Sequence, residues 1–321
     1  MNIYDVAQKA GVSIATVSRV INNSPNVSEK TRRRVKEVMR LGEYVPNAFA
    51  RGLGLDTMKM VGVMCTDVND TFYAAAVGQV ESLLRSWGKD TVLRCTGNGL
   101  ENKVKCLREL VNRKVDAVML IGSAFREETD NEHIREAAMQ VPVVIINGCI
   151  ELDNVYCVVC DERGAVRDLV KALAAEGKKH PLYLYDATTY SGNEKLCGFS
   201  EGCTLCGLEE RIVKTGKDVE STVAKVKELY SSFGFDCVIS SEDLIAVGAL
   251  KALEELKIKL PVIGFNNSVI SQCTSPSLTS VDNMLDSMCQ TAVRLLSDLD
   301  NGDTVPAKTV ISARLVRRES Y

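Results

Sequence analysis

Histidine is almost missing from this chain, with only His133 and His180 in 321 residues. A reaction centre needs a base and a nucleophile that converge, and neither histidine sits in a pattern that supplies one. His133 falls in a charged segment beginning DNEH that reads as a solvated helix, and His180 falls in the surface turn GKKHP. GxSxG, P-loop and GxGxxG patterns are all absent, and GLGLD (52–56) lacks both the third glycine and a preceding strand. Also lacking are low-complexity segments and internal repeats of solenoid period. No apolar run is long enough to cross a bilayer. The opening MNIYDVAQKAG has neither the basic start nor the apolar stretch of a secretory signal. These gaps predict a cytoplasmic protein with no enzymatic activity, no cofactor and no membrane contact.

Cysteine, by contrast, is abundant at twelve residues. In a reducing compartment it behaves mainly as a small buried hydrophobe, and Cys65, Cys149 and Cys237 stand in or beside apolar runs as that reading expects. Two CxxC pairs occur, Cys157/Cys160 and Cys203/Cys206. The first lies in a strand-like run, where residues three apart point to opposite faces and chelate poorly. The second lies on a helix-like stretch, where core packing is the simpler role. No metal site is expected.

At 321 residues the chain exceeds what one core usually serves, which predicts two or three domains. Its charge is uneven. Residues 1–60 hold ten Lys and Arg against five Asp and Glu, whereas the rest hold 29 against 37. A basic head on an acidic body implies that only the head meets a polyanion.

The head reads as three short helices. Asn2, with Asp5 three residues on, caps the first, and Gly11 ends it. Ser13 caps the second, GVSIATVSRVINN (11–23), whose Val12, Val17, Val20 and Ile21 share one face. Its other face carries Ile14, Ala15, Ser18, Arg19 and Asn22, a mixed surface that suits no core. Ser28 caps EKTRRRVKEVMRLG, with Val35, Val38 and Met39 inward and Gly42 as the stop. Two helices across a tight glycine turn with a third closing a small core make a helix-turn-helix pattern. Residues 44–59 then read as a linker.

From Met60 the rhythm changes. Apolar runs MVGVMC, TVLRC, DAVMLIG, PVVIIN, YCVVC, LYLYD, DCVISS and PVIGF alternate with longer helical stretches. Such alternation predicts parallel sheet covered on both faces, and the number of runs, with a middle near 150–160, predicts two doubly wound α/β subdomains.

YDVAQKAGVSIATVSRVINN, VSEKTRRRV and YVPNAFARGL resemble, in order and spacing, the DNA-binding and hinge segments of the lactose and galactose repressor (LacI/GalR) family of regulators. VDAVMLIG, CDERGAV, KLCGF, SSEDLIAVGAL, VIGFNN and PSLTSV extend the resemblance more loosely to the end. It implies a helix-turn-helix head (1–45), a hinge (46–58), and an effector-binding and dimerisation body (59–321) of periplasmic-binding-protein type. The implied partners are double-stranded DNA carrying a pseudo-palindromic operator, a small-molecule effector and a second copy of the chain. A stand-alone small-molecule receptor of the periplasmic type, without a DNA role, is the competing reading of the body.

In the head the resemblance puts the base-reading positions on Ile14, Ala15 and Arg19. Arg19 can donate two bonds to guanine, and Ile14 or Ala15 can pack on a thymine methyl. Tyr4, Ser13, Thr16, Ser18, Asn22 and Thr31 suit phosphate contacts, and Arg32 is expected to face phosphate as well. In the hinge, Ala50 and Leu53 match residues that enter the minor groove, where Leu53 would wedge between base pairs. Gly52 and Gly54 flank that wedge and disfavour a helix off DNA.

The effector positions map onto Asp70, Phe72, Ser123, Arg163, Lys195, Phe199, Glu242, Asn266 and Asn283, at strand ends between the subdomains. Several depart from the usual sugar-binding spelling. Lys195 replaces an arginine fork, Glu242-Asp243 an Asn-Asp pair, and Asn266-Asn267 an Asp-Asp pair. Lysine is a point charge and glutamate only accepts. Lys195 and Glu242 are thus expected either as opposite charges facing the cleft, favouring an effector with an amino, acid or phosphate group such as a charged sugar derivative, or as a pair that satisfies itself.

Overall fold

A computed structural model describes residues 1–21, 24–42, 44, 57–216 and 218–321. Asn22, Ala50 and Leu53, with the hinge glycines Gly52 and Gly54, lie outside the described residues. The chain divides into two compact units, residues 1–60 with 114–116, and residues 61–113 with 117–321.

The first unit is built on three capped helices, α1 (Ile3–Ala10), α2 (Ile14–Ile21) and α3 (Glu29–Leu41). Asn2 and Asp5 exchange side-chain and backbone hydrogen bonds at 2.8 and 3.0 Å, satisfying two of the helix's orphan donors. Gly11 closes α1 in the left-handed region (φ 62°), and Ser13 Oγ accepts from the Thr16 amide at 3.2 Å to start α2. Ser28 Oγ does the same for Thr31 at 3.3 Å. Such caps contribute about 1 kcal/mol each. They orient a core of Val6, Ala7, Ala10, Val17, Val20 and Val35, against which Val12, Ile21, Val38 and Met39 pack.

The second unit holds two six-stranded sheets. The chain builds β1 (Met60–Cys65), α4 (Thr71–Ser86), β2 (Asp90–Cys95), α5 (Leu100–Asn112), β3 (Ala117–Ile121), a single 3-10 turn at Ser123–Phe125, α6 (Glu132–Ala138), β4 (Val143–Ile146) and β5 (Val155–Cys160). It then crosses to α7 (Glu162–Ala175), β6 (Pro181–Tyr185), α8 (Tyr190–Cys206), β7 (Arg211–Lys214), α9 (Val219–Phe233), β8 (Cys237–Ser240), α10 (Asp243–Glu255), β9 (Val262–Phe265), α11 (Val269–Cys273) and β10 (Thr279–Asp282). Finally α12 (Leu285–Asp300) and β11 (Lys308–Ile311) return to the first sheet, and β12 (Arg314–Val316) to the second.

The first sheet runs β11-β5-β4-β3-β1-β2 and the second β12-β10-β9-β8-β6-β7. Neighbours from β11 to β1 and from β10 to β7 pair in parallel, while β12 pairs antiparallel with β10. Val61, Val63, Met119, Ile121, Val144 and Ile146 are buried under α4 and α12 in the first subdomain. In the second, α9 and α10 cover one face, with Leu182 and Val238 beneath them. The other face carries α7 and α8 over Tyr183 and Ile239. The architecture is the expected one, a helical head and two doubly wound subdomains. The middle near 150–160 is only the first of three crossings, because α12 and β11 come back.

Two side-chain expectations change. His133 is buried rather than solvated, its Nε2 makes no hydrogen bond, and burial lowers its imidazole pKa. The amphipathic turn of α6 points it inward even though its sequence neighbours are charged. Arg163 and Phe199, placed at the effector site above, sit elsewhere, Arg163 exposed and paired with Glu201 and Phe199 buried against Tyr183. A Cβ on Gly198 would meet the Arg163 carbonyl oxygen at 2.3 Å, and one on Gly202 would meet Val170 Cβ at 2.6 Å, so α7 and α8 touch through glycine.

That contact sets the first expectation. Alanine normally stabilises a helix over glycine by up to about 1 kcal/mol, yet Gly198→Ala forces two backbones apart. It should lower stability by about 1–3 kcal/mol. Thermal unfolding of the purified variant reads this as a lower Tm, and an unchanged or higher Tm contradicts the close approach.

Candidate nucleic-acid face and ligand cleft

In the head, burial of Val17 and Val20 turns the opposite side of α2 outward. Ile14 is 42% exposed, and Ala15 and Arg19 are exposed beside it. Ile14 is not part of the head's core, and burying its exposed part needs a partner outside the head. Tyr4 stands 67% exposed on α1, and Ser13 is exposed, whereas Thr16, Ser18 and Thr31 are half-buried. Ser13 and Thr16 hydroxyls lie 2.9 Å apart, and Ser28 donates to Thr31 Oγ1 at 2.9 Å. Arg32 does not face outward as expected. Its Nη2 donates to the Ser24 carbonyl at 2.6 Å, beside Glu29 at 3.3 Å, so it holds the 24–28 turn. Exposed basic charge on α3 comes instead from Lys30, Arg33, Arg34 and Lys36.

In the body, residues that immediately follow strands gather around one cleft of about 670 Å³. Thr66 and Asp67 follow β1, Gly97 and Asn98 follow β2, Gly122 and Ser123 follow β3, and Asn147 follows β4. From the second sheet come Asp186 after β6, Ser241 and Glu242 after β8, and Asn266 after β9. Parallel strands end together, so their carboxyl ends deliver polar loop residues to one place. Gly122 (φ 100°) needs glycine twice over, since a Cβ there would also strike the Tyr73 ring at 2.4 Å. Ser123 Oγ donates to Thr189 Oγ1 at 2.9 Å, linking the subdomains across the cleft.

Of the nine mapped positions, Asp70, Phe72, Ser123, Lys195, Glu242 and Asn266 line this cleft together. Asp70 caps α4 by accepting from the Phe72 and Tyr73 amides at 2.8 and 3.4 Å. Asn283 is fully buried behind Asn266, donating to its Oδ1 at 3.0 Å, while its own Oδ1 has no hydrogen bond. Arg163 and Phe199 stay away from it. Arg163 is exposed and paired with Glu201, and Phe199 is fully buried, stacked on Tyr183 at 5.1 Å.

Lys195 is the sole basic side chain among the described residues lining the cleft. It is 4% exposed, donates to the Ser241 carbonyl at 3.1 Å, and lies over the Phe265 ring at 4.1 Å. Its ionic partner is Glu162, 2% exposed, with Oε1 3.6 Å from Nζ. Burial pushes the Glu162 carboxyl pKa upward, and Lys195, Ser191 and Asn147 oppose that shift. Glu162 begins α7 just past the first crossing, so it draws on groups from both subdomains.

Sequence reasoning passed over Glu162 although CDERGAV contains it, and passed over Asp67, Asn98, Asn147, Asp186 and Ser241. The signal was present. Each of those five stands within three residues after an apolar strand run, where the strand-end rule places ligand contacts.

Residues 2–47 match the family described as bacterial regulatory proteins, lacI family, and residues 170–321 match a periplasmic binding protein-like domain. The chain is 44% identical to an HTH-type transcriptional regulator of Lachnoclostridium phytofermentans, covering 100% of this chain and 99% of that one. It is 32% identical to the HTH-type transcriptional regulator GalR of Escherichia coli, over 99% and 95% of the two chains. The fold superposes with a TM-score of 0.89, at 22% identity, on a lac repressor dimer bound to operator and the anti-inducer ONPF, covering 100% and 98%. The chain therefore belongs to the LacI family of bacterial regulatory proteins, and it is a DNA-binding transcriptional regulator.

Proposed function

We propose that this regulator is a repressor whose head reads a pseudo-palindromic operator and whose operator affinity is set by a small molecule in the body's cleft. Two copies present two heads, since half-sites one helical turn apart mirror a two-fold dimer. The regulator works without a chemical step, in the cytoplasm where the DNA is. One observation carries this reading: the outward face of α2, with Ile14, Ala15 and Arg19 presented together on a fixed three-helix core. A receptor without a DNA role has no use for that face. The proposed contacts divide by chemistry. Arg19, Ile14 and Ala15 meet base edges, while Tyr4, Ser13, Thr16, Ser18 and Thr31 meet phosphate. Asn22, Ala50 and Leu53 remain part of the proposal on the family resemblance alone. The domain limits 1–45, 46–58 and 59–321 are proposed on the same basis.

For the effector, the proposed contacts are the lining residues Asp70, Phe72, Ser123, Lys195, Glu242 and Asn266, with Asn283 acting through Asn266. Asp67, Asp70, Asp186 and Glu242 bring four carboxylates to the lining, and its one lysine is engaged with Glu162. Carboxylates accept hydrogen bonds and attract positive charge. The effector is thus a hydroxyl-rich or amine-bearing molecule. The acid and phosphate alternatives raised by the spelling of Lys195 and Glu242 lose their cation.

Three outcomes test this. On a site selected from random DNA, Arg19→Ala should lose about 1–3 kcal/mol of discrimination against scrambled DNA. Equal losses on both sequences contradict the base-reading role. In calorimetric titrations, a neutral or amino sugar should bind at least tenfold tighter than its phosphorylated counterpart, and tighter binding of the phosphate contradicts the acidic cleft.

The third concerns the buried pair. Lys195→Met leaves Glu162 buried without its counter-charge, which costs about 3–5 kcal/mol. The folded-state pKa of Glu162, already raised above the ordinary 4.5, then rises further. A group so raised contributes stability below its unfolded value and loses it as pH climbs through the folded value. The deficit of the variant should therefore be largest at and above pH 7 and shrink toward pH 4.5. A pH-independent deficit in denaturant melts contradicts the pairing.

A further inference from the structure

Cys65 ends β1 and Cys95 ends the neighbouring edge strand β2, and their sulfurs lie 3.8 Å apart. The Thr96 amide donates to the Cys65 carbonyl at 3.0 Å, so the two residues are fixed as neighbours by the sheet itself. Cys65 is fully buried in the first core, whereas Cys95 is an exposed residue. We propose that Cys65 and Cys95 are a thiol-oxidation site, closing an intrachain disulfide in response to a hydroperoxide and reopening with a dithiol.

The asymmetry of exposure divides the roles. The Cys95 thiolate attacks the hydroperoxide, breaking the O–O bond. It becomes a sulfenic acid as the other oxygen leaves as an alcohol or water. The Cys65 sulfur then displaces the sulfenic hydroxyl, and the Cys65 proton leaves with it as water. Two thiols are oxidised by two electrons, and one peroxide is reduced. Burial first, and then the Cys95 charge, push the Cys65 thiol up to about 12, so Cys65 is protected from direct attack. Conversion of Cys95 to a neutral sulfenic acid removes the second of those causes. Bond formation needs the sulfurs to approach about 2.05 Å, a matter of side-chain rotation in two residues already in contact.

The Cys157/Cys160 pair offers no such division, since both are buried. Cys149 and Cys157, which also influence one another, are both buried as well. The location of the Cys65–Cys95 pair matters for regulation. Thr66 and Asp67 follow one cysteine, Gly97 and Asn98 come soon after the other, and all four line the cleft. The Gly97 amide donates to the Thr66 carbonyl at 2.9 Å, continuing the same ladder. A disulfide would pin this rim.

The full-length protein treated with hydrogen peroxide should yield, on non-reducing peptide mapping, one linked Cys65–Cys95 peptide two hydrogens lighter, lost on adding dithiothreitol. Cys95→Ser should abolish it. Cys65→Ala should leave a sulfenic acid on Cys95 that dimedone traps, and Cys95→Ser, changed only at an exposed position, guards against a folding failure in the core variant. Oxidation should also slow amide exchange at Gly97 and Asn98. No linked peptide, a Cys95–Cys95 link between two chains, or dimedone capture at other cysteines alone overturns the proposal. Unchanged exchange at Gly97 and Asn98 overturns its connection to the cleft.

Discussion

The cleft is organised around a carboxylate that water cannot reach. Glu162 sits 2% exposed at the first crossing between the subdomains, its Oε1 3.6 Å from Lys195 Nζ and without a hydrogen bond, and Lys195, Ser191 and Asn147 oppose the rise that burial gives its pKa. A buried charge of this kind is tolerated only when paired, because desolvation costs several kcal/mol per ion. Lys195 must therefore keep its ammonium on Glu162 and the Ser241 carbonyl. Asn147 follows a strand of the first sheet and Lys195 lies on a helix over the second, so groups from both subdomains act on the Glu162 carboxyl.

From that constraint follows the character of the site. With its one lysine engaged, the lining of the cleft is otherwise a rim of strand-end oxygens and amides, Asp67 and Asp186 among them. The subdomains meet across it through Ser123 and Thr189. An equilibrium between closed and open arrangements is shifted only by a ligand that binds them differently. Contacts drawn from both rims meet that condition, because they exist together only when the subdomains are close.

The sequence was informative where burial is complete and ambiguous where it is partial. All eight apolar runs became strands, seven of them largely buried, while TVLRC was legible from its apolar run although β2 is an edge strand without a buried residue. β7, β11 and β12 escaped notice as edge strands with patterns such as KTVI and RLV, half of whose residues meet water. β10 is internal but spelled TSVD, its hydroxyls engaged by Asp243 and the chain terminus. The head caps were legible residue by residue, since a cap is a local interaction between neighbours in sequence. Partners distant in sequence were not. Arg32 finds the Ser24 carbonyl, and Lys195 finds Glu162. Arg163 finds Glu201, and Phe199 stacks on Tyr183. Each depends on tertiary placement that spacing does not encode.

The central claim is that Lys195 and Glu162 act as one neutral unit, and a double-mutant cycle on stability measures it most directly. Denaturant melts of Glu162→Gln, Lys195→Met and the combined variant at pH 7 give the coupling. The account predicts that the double variant is more stable than Lys195→Met alone, with a coupling above about 1 kcal/mol. Losses that simply add would contradict it.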